Sequence, residues 1–127
     1  YVGSVALATA LDYVTNIGIE RIASYENELL EYATAKLLAI PDMRIIGTAA
    51  HKCSVISFVI AGIHPFDLGT LLDKTGVAVR TGNHCAQPLI DLLEVPGTVR
   101  ISFAFYNTRE EIDYFIAQLK RCIAILK

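Results

Sequence analysis

The residue types most suited to chemistry lie in one polar segment, residues 80–89, which reads RTGNHCAQPL. Within it, Cys85 follows a Gly-Asn pair, and both of these residue types tolerate the backbone angles of a tight turn. A cysteine in such a loop, with the basic side chains of Arg80 and His84 nearby, favours reaction as a thiolate. The alternative is a small apolar side chain in a turn, and the spacing alone leaves both interpretations open.

His84 adjoins this cysteine but is not expected to act as its base, because adjacent residues of an extended chain point to opposite sides. A metal site is the other role for a neighbouring His and Cys. Tetrahedral zinc needs several ligands, and only the distant His51, Cys53 and His64 are left to supply them. We therefore expect no metal at this loop.

Arg100 is the second candidate for a functional side chain, and it lies in a predicted strand that follows a Pro-Gly turn. A guanidinium held on a rigid strand can clamp a carboxylate with two hydrogen bonds. The alternative is a surface arginine whose stem lies along the sheet. The residue pattern leaves these two roles undecided.

The elements that must position these residues follow the order ααββαβ(α)βα. Helical apolar spacing ends first at Gly18 and again at Pro41, and Thr108 has capping-box spacing before the last helix. Strands are predicted over residues 44–47, 54–60, 77–80 and 98–104, and further helices over 64–76 and 88–93. The whole chain, residues 1–127, is predicted to be one α/β domain, with helices packed on a small, mostly antiparallel sheet in two layers.

The composition excludes several classes of protein. The chain has 127 residues, of which 54 % are hydrophobic, so it is long enough for one core and too short for two ordinary domains. A net charge of -2 without a basic cluster predicts no nucleic-acid partner. No apolar stretch approaches the ~20 residues of a membrane helix, so no membrane association is expected. Three widely spaced cysteines indicate free thiols and a cytoplasmic location.

Residues 80–89 resemble the active-site segment of SufS-type (group II) cysteine desulfurases and selenocysteine lyases, which are members of the class V aminotransferase family. The resemblance continues through VRIS (99–102), FYNT (105–108) and ALDY (10–13) and extends over essentially the whole chain. It implies the small C-terminal domain of the type I fold of pyridoxal-phosphate enzymes. The chain also opens at Tyr1, within a helical pattern and without an initiator methionine, so we expect it to belong to a longer protein.

The resemblance implies a role for each candidate residue. Cys85 would take the sulfur of L-cysteine as a persulfide, leaving L-alanine, in the service of iron–sulfur cluster assembly. Arg100 and Arg80 would bind the substrate, with His84 and Asn83 as neighbours in the active site. Many family members have a second histidine where this chain has Asn83, which puts any role of that imidazole in doubt.

The resemblance also implies a cofactor and partners. Pyridoxal phosphate would be held by a large domain of the same protein, and nothing in this chain matches the residues that bind it; the pair His51-Lys52 only echoes the family's cofactor lysine. The isolated chain is thus expected to be inactive and to bind no cofactor covalently. The full protein would form a homodimer and pass sulfur to a SufE-like acceptor.

Two further enzyme classes and one binding class remain as alternatives: a selenocysteine lyase, another class V aminotransferase-like enzyme, and a noncatalytic module that docks a partner or senses oxidants through its thiol. In every case Cys85 is expected to be the most reactive thiol. Cys53 lies beside a predicted buried strand and Cys122 in the last helix, so both are expected to react more slowly.

Overall fold

The computed structural model describes all 127 residues and contains five helices and four strands. In chain order these are α1 (Val2–Ile17), α2 (Ile19–Leu38), β1 (Met43–Ile46), β2 (Val55–Ile60), α3 (Pro65–Asp73), β3 (Arg80–Gly82), α4 (Gln87–Leu92), β4 (Thr98–Ser102) and α5 (Arg109–Leu126). The predicted order of elements is confirmed.

The four strands form one sheet in the order β1-β2-β4-β3, and every neighbouring pair is antiparallel. Alternate residues of β2, namely Ile56, Phe58 and Ile60, are buried, as are Val99 and Ile101 of β4. They form one core cluster with apolar residues of α2, α3 and α5. The structure is therefore the predicted α/β fold, in which helices cover one face of an antiparallel sheet.

The last helix shows how local sequence produces this packing. Thr108 accepts a hydrogen bond from the Glu111 backbone, while the Glu111 carboxylate accepts one from the Thr108 backbone, which is the predicted capping box. Ile112, Phe115 and Leu119 then repeat at helical spacing and are buried in the core. Capping fixes where α5 begins, and the apolar stripe fixes which face it turns to the sheet.

The first helix differs, because α1 has no buried residue. Leu7 and Leu11, from its predicted apolar face, are 56 % and 59 % exposed. No single helix is long and apolar enough to cross a membrane. Only α1 and α2 taken together reach the length and apolar composition of a membrane span, and the two helices are bent by 73° where they meet. The buried face of α2, which includes Leu29 and Leu37, packs in the core cluster.

The strand predicted over residues 77–80 is displaced in the structure, since β3 begins only at Arg80. The backbone N–H of Val77 donates to the carbonyl of Leu72 at 3.1 Å, so this part of the chain is still closing the end of α3. Val77 and Ile101 of β4 are among the residues that line a cavity of about 520 Å³. The β-branched residues of this segment are typical of a strand, but the pairing of β3 with β4 begins only at Arg80.

Candidate active site

Cys85 lies in a tight turn, Asn83–Ala86, which we call the thiol turn. The backbone N–H of Ala86 donates to the Asn83 carbonyl at 2.9 Å across this turn. Its two central residues, His84 and Cys85, have φ values of 53° and 60°, the positive sign found in type I′ turns. Cys85 is exposed, so the sharply turned backbone presents its thiol to solvent.

Positive φ at two consecutive residues that are not glycine is uncommon. Each such residue costs about 1 to 3 kcal/mol, and the conformation persists only where surrounding contacts hold it. Such strain clusters at functional sites. The thiol turn therefore carries a signal for function that is independent of the residue types.

The thiol turn also corrects one premise of the sequence interpretation, because His84 and Cys85 are not in extended chain. The His84 side chain instead reaches β4, where its Nε2 lies 2.9 Å from the Oγ1 of Thr98 and shares a hydrogen bond with it. Thr98 is only 2 % exposed. The imidazole is thus engaged with Thr98 and is not needed as the base of Cys85.

The surroundings of His84 keep its imidazole neutral. Burial lowers the pKa of His84, and the positive charge of Arg100 lowers it further, whereas hydrogen bonding to the backbone of Thr98 raises it. The charge of Arg80 adds to the lowering. Because the ordinary value is already below 7 and the shift is downward, the neutral form of the ring predominates at neutral pH.

Arg80 and Arg100 face each other directly across β3 and β4. Like charges directly opposite in a sheet are destabilising. The Nε of Arg100 is buried and has no hydrogen-bond partner, although buried polar atoms normally have one. A carboxylate placed here would satisfy the buried Nε and offset the repulsion, because guanidinium groups bind carboxylates with paired hydrogen bonds.

Asn83 braces the thiol turn from the other side. Its side-chain amide donates to Gln87 Oε1 at 2.7 Å, and the Gln87 amide donates to Asp91 Oδ1 at 2.6 Å. These residues are spaced four apart, the spacing at which side chains meet on a helix, and that spacing was a signal that the sequence analysis missed. The amide at position 83 thus ties the turn to α4.

The position of β3 depends on two close approaches at glycine. A Cβ added to Gly69 of α3 would lie 2.4 Å from Cγ2 of Thr81, and one added to Gly97 would lie 3.0 Å from the backbone of Gly82. Only glycine lets α3 and the start of β4 come this near to β3. The thiol turn follows directly from the strand that these contacts fix.

The other two cysteines have different surroundings. Cys53 is exposed, so the neighbouring strand does not shield it: Val55, where β2 begins, lies two residues further on. Its slower reaction relative to Cys85 stays a prediction. Cys122 is buried, as expected, and burial raises its pKa against the opposing charge of Arg121. No group of three or more His, Cys, Asp or Glu side chains is arranged to hold a metal ion.

The family of the chain follows from comparison with known proteins. The sequence profile of the family described as aminotransferase class-V matches residues 1–115. The chain belongs to the aminotransferase class-V family.

Curated class-V relatives point to one activity. The chain is 55 % identical over 118 residues to a protein named probable cysteine desulfurase from Mycolicibacterium paratuberculosis (strain ATCC BAA-968 / K-10), covering 93 % of the chain and 17 % of that relative. It is 51 % identical over 124 residues to a probable cysteine desulfurase from Xylella fastidiosa (strain 9a5c), covering 98 % of the chain and 30 % of the relative. The chain thus spans less than a third of the length of these relatives.

Solved structures agree with the class-V assignment. The apo cysteine desulfurase of Thermococcus onnurineus NA1 matches with a TM-score of 0.90 at 33 % identity, over 96 % of this chain and 31 % of that one. The cysteine desulfurase CsdA of Escherichia coli, in an S-sulfonic acid form, matches with a TM-score of 0.87 at 35 % identity, over 95 % and 30 %. The predicted resemblance to class-V cysteine desulfurases and the predicted fold are confirmed.

Class-V and desulfurase relatives imply pyridoxal phosphate in the full enzyme, a cofactor that is held covalently by a lysine amine. Lys36 pairs with Asp113 at 2.8 Å, and Lys127 pairs with Asp42. Lys52 donates to the Gly47 carbonyl in the loop before β2 and lines a groove along α2. None of these three amines bonds to a residue of the thiol turn. The cationic pair at residues 80 and 100 fits a substrate carboxylate better than a covalent cofactor.

Proposed function

We propose that this chain is the small domain of a SufS-type cysteine desulfurase that removes sulfur from L-cysteine, leaving L-alanine and a persulfide on Cys85. The observation that carries the proposal is the placement of an exposed thiol on a strained turn beside two facing arginines, one of which has a buried, unpartnered Nε. Homologues named cysteine desulfurase over nearly the whole chain support it.

The arginine pair accounts for substrate binding. The carboxylate of cysteine would accept hydrogen bonds from Arg100, and the nearby charge of Arg80 would add attraction. The buried Nε of Arg100 has no partner in the structure, and such an anion would supply its hydrogen bond. Binding the carboxylate at a strand fixes the substrate's orientation, which is a large part of what an active site contributes.

The thiol accounts for sulfur transfer. Pyridoxal phosphate, held by the rest of the protein, supplies the electron sink that weakens the bond between carbon and sulfur. The Cys85 thiolate attacks the substrate sulfur, forming a sulfur–sulfur bond as the carbon–sulfur bond breaks. The electron pair stays with the substrate carbon, which takes up a proton and becomes the methyl group of alanine.

The exposed thiol also suits the partners proposed here. A persulfide on an accessible cysteine can pass its terminal sulfur to an acceptor thiol by exchange. A SufE-like acceptor, a homodimer of the full protein, a cytoplasmic location and a place in iron–sulfur cluster assembly complete the proposal. The large cofactor-binding domain of the same protein is the partner that the isolated chain lacks.

The experiment uses the full-length protein containing this chain, with its cofactor. After one turnover with L-cysteine, peptide mass spectrometry should find one added sulfur atom on the peptide that contains Cys85. Cys85→Ser should nearly abolish sulfide and alanine production, because a hydroxyl stays protonated and cannot store sulfur. Cys53→Ser is the matched control, because Cys53 is also an exposed thiol and should be dispensable. Sulfur on Cys53 or Cys122, or normal turnover by Cys85→Ser, would contradict the proposal.

A further inference from the structure

We propose that His84 is a positioning residue for sulfur transfer, whose hydrogen bond to the buried hydroxyl of Thr98 holds the thiol turn against the strand that carries Arg100. This inference rests on the proposed function and adds a task for a residue that neither attacks the substrate nor binds it. It also gives Thr98, a residue that the sequence pattern did not single out, a part in the same site.

The hydrogen bond from His84 is anchored on a buried residue of β4. Thr98 is almost completely buried and lies two residues before Arg100, so both side chains leave the same face of β4. Gly82, at the end of β3, already pairs with Thr98 through the backbone. His84 brings its side chain to that same threonine at 2.9 Å. Thr98 is therefore a common anchor for the strand and for the turn that follows it.

The thiol turn itself needs an anchor. His84 and Cys85 both hold a backbone conformation that side-chain-bearing residues seldom adopt. The Asn83 side chain ties the turn to α4, and the backbone bond from Ala86 closes the turn on itself. Neither contact ties the central residues of the turn to the sheet, which holds only the start of the turn through the pairing of Gly82 with Thr98. The bond from His84 to Thr98 supplies that link, one residue from the thiol.

A protonated imidazole at His84 would add a third positive group next to Arg80 and Arg100. Burial and both arginines lower the pKa of His84, which leaves a neutral ring able to share one hydrogen bond with Thr98. A neutral His84 ring can hold the thiol turn to Thr98 without adding charge to the site, so the two arginines alone supply the positive charge that binds the carboxylate.

Loss of the hydrogen bond between His84 and Thr98 should lower the rate of sulfur transfer and leave the binding of cysteine nearly unchanged. A thiol displaced by about 1 Å attacks less often, while the arginine that binds the carboxylate stays in place. A net hydrogen-bond contribution of the usual size corresponds to a change of about three- to tenfold. We therefore expect kcat for sulfur release to fall by that factor, with KM for cysteine changed less than about twofold.

The test compares two substitutions of Thr98 in the full-length protein with its cofactor. Thr98→Val keeps the side-chain shape and removes the hydroxyl, and it should show the loss in kcat. Thr98→Ser keeps the hydroxyl and should retain activity. His84→Asn, which tolerates the positive φ but does not reach Thr98, should lose as much as Thr98→Val. The double variant should be no slower than either single one, because both remove the same bond.

Hydrogen exchange separates this inference from the proposed function. The peptide that spans the thiol turn should exchange faster in Thr98→Val than in the wild type, and the serine variant should match the wild type. If the wild-type protein releases no sulfur from cysteine, the proposed function fails, and the exchange comparison still decides whether the bond from His84 to Thr98 holds the thiol turn. An unchanged kcat in Thr98→Val, an equal loss in Thr98→Ser, a rise in KM alone, or unchanged exchange would each overturn the inference.

Discussion

Removal of the Arg100 guanidinium is the sharpest test of how this site binds its substrate. In the full-length protein, Arg100→Ala deletes the charge and the buried Nε that has no partner in the structure. Hydrogen bonds between charged partners contribute about 1.5 to 3 kcal/mol. At about 1.4 kcal/mol for each factor of ten, KM for cysteine should rise by about ten- to a hundredfold.

The assay is steady-state alanine or sulfide production across a range of cysteine concentrations, with kcat and KM determined separately. Arg100→Lys should lose part of the effect, because an ammonium keeps the charge but not the paired donors. Arg44→Ala is a matched control: Arg44 is an exposed arginine at the far edge of the same sheet. It should leave both constants near their wild-type values.

Two results would refute this reasoning. An unchanged KM in Arg100→Ala would mean that the buried Nε serves only the packing of the sheet. An equal rise in Arg44→Ala would mean that the effect comes from general positive charge and not from a defined clamp. A loss of folded protein is checked by circular dichroism before the kinetics are compared.

Three further predictions concern the chain itself. Gly69→Ala should lower the free energy of unfolding in urea by about 1 to 2 kcal/mol, because the new methyl group would overpack against Thr81 by more than the gain in helix propensity offsets. Adding Thr81→Ser, which removes the methyl group of Thr81, should restore the stability. Greater stability of Gly69→Ala alone would contradict the close contact. Iodoacetamide should label Cys85 before Cys122. Labelling of Cys122 should require a more alkaline pH, because burial raises the pKa of the Cys122 thiol. Equal labelling rates near neutral pH would argue against the burial of Cys122. Pyridoxal phosphate followed by borohydride should leave no stoichiometric label on the chain, and a specific adduct on Lys52 would contradict this.

The comparison of prediction with structure shows where local patterns suffice. The capping box at Thr108 and the apolar stripe of α5 were both predicted, because each depends on residues within a few positions of one another. The strand predicted over residues 77–80 was misplaced for the opposite reason. Its β-branched residues fit a strand, but pairing depends on where β4 lies, and only β3, from Arg80 to Gly82, is in register with it.

By itself, the sequence determined the order of the elements, the antiparallel α/β class and the segment that carries Cys85, because residue type, period and motif are local properties. Only the tertiary structure decided that His84 meets Thr98, that Arg80 faces Arg100 and that Cys53 is exposed. Such contacts join residues that are distant along the chain. They depend on strand register and on how closely elements pack, which no short stretch of sequence specifies.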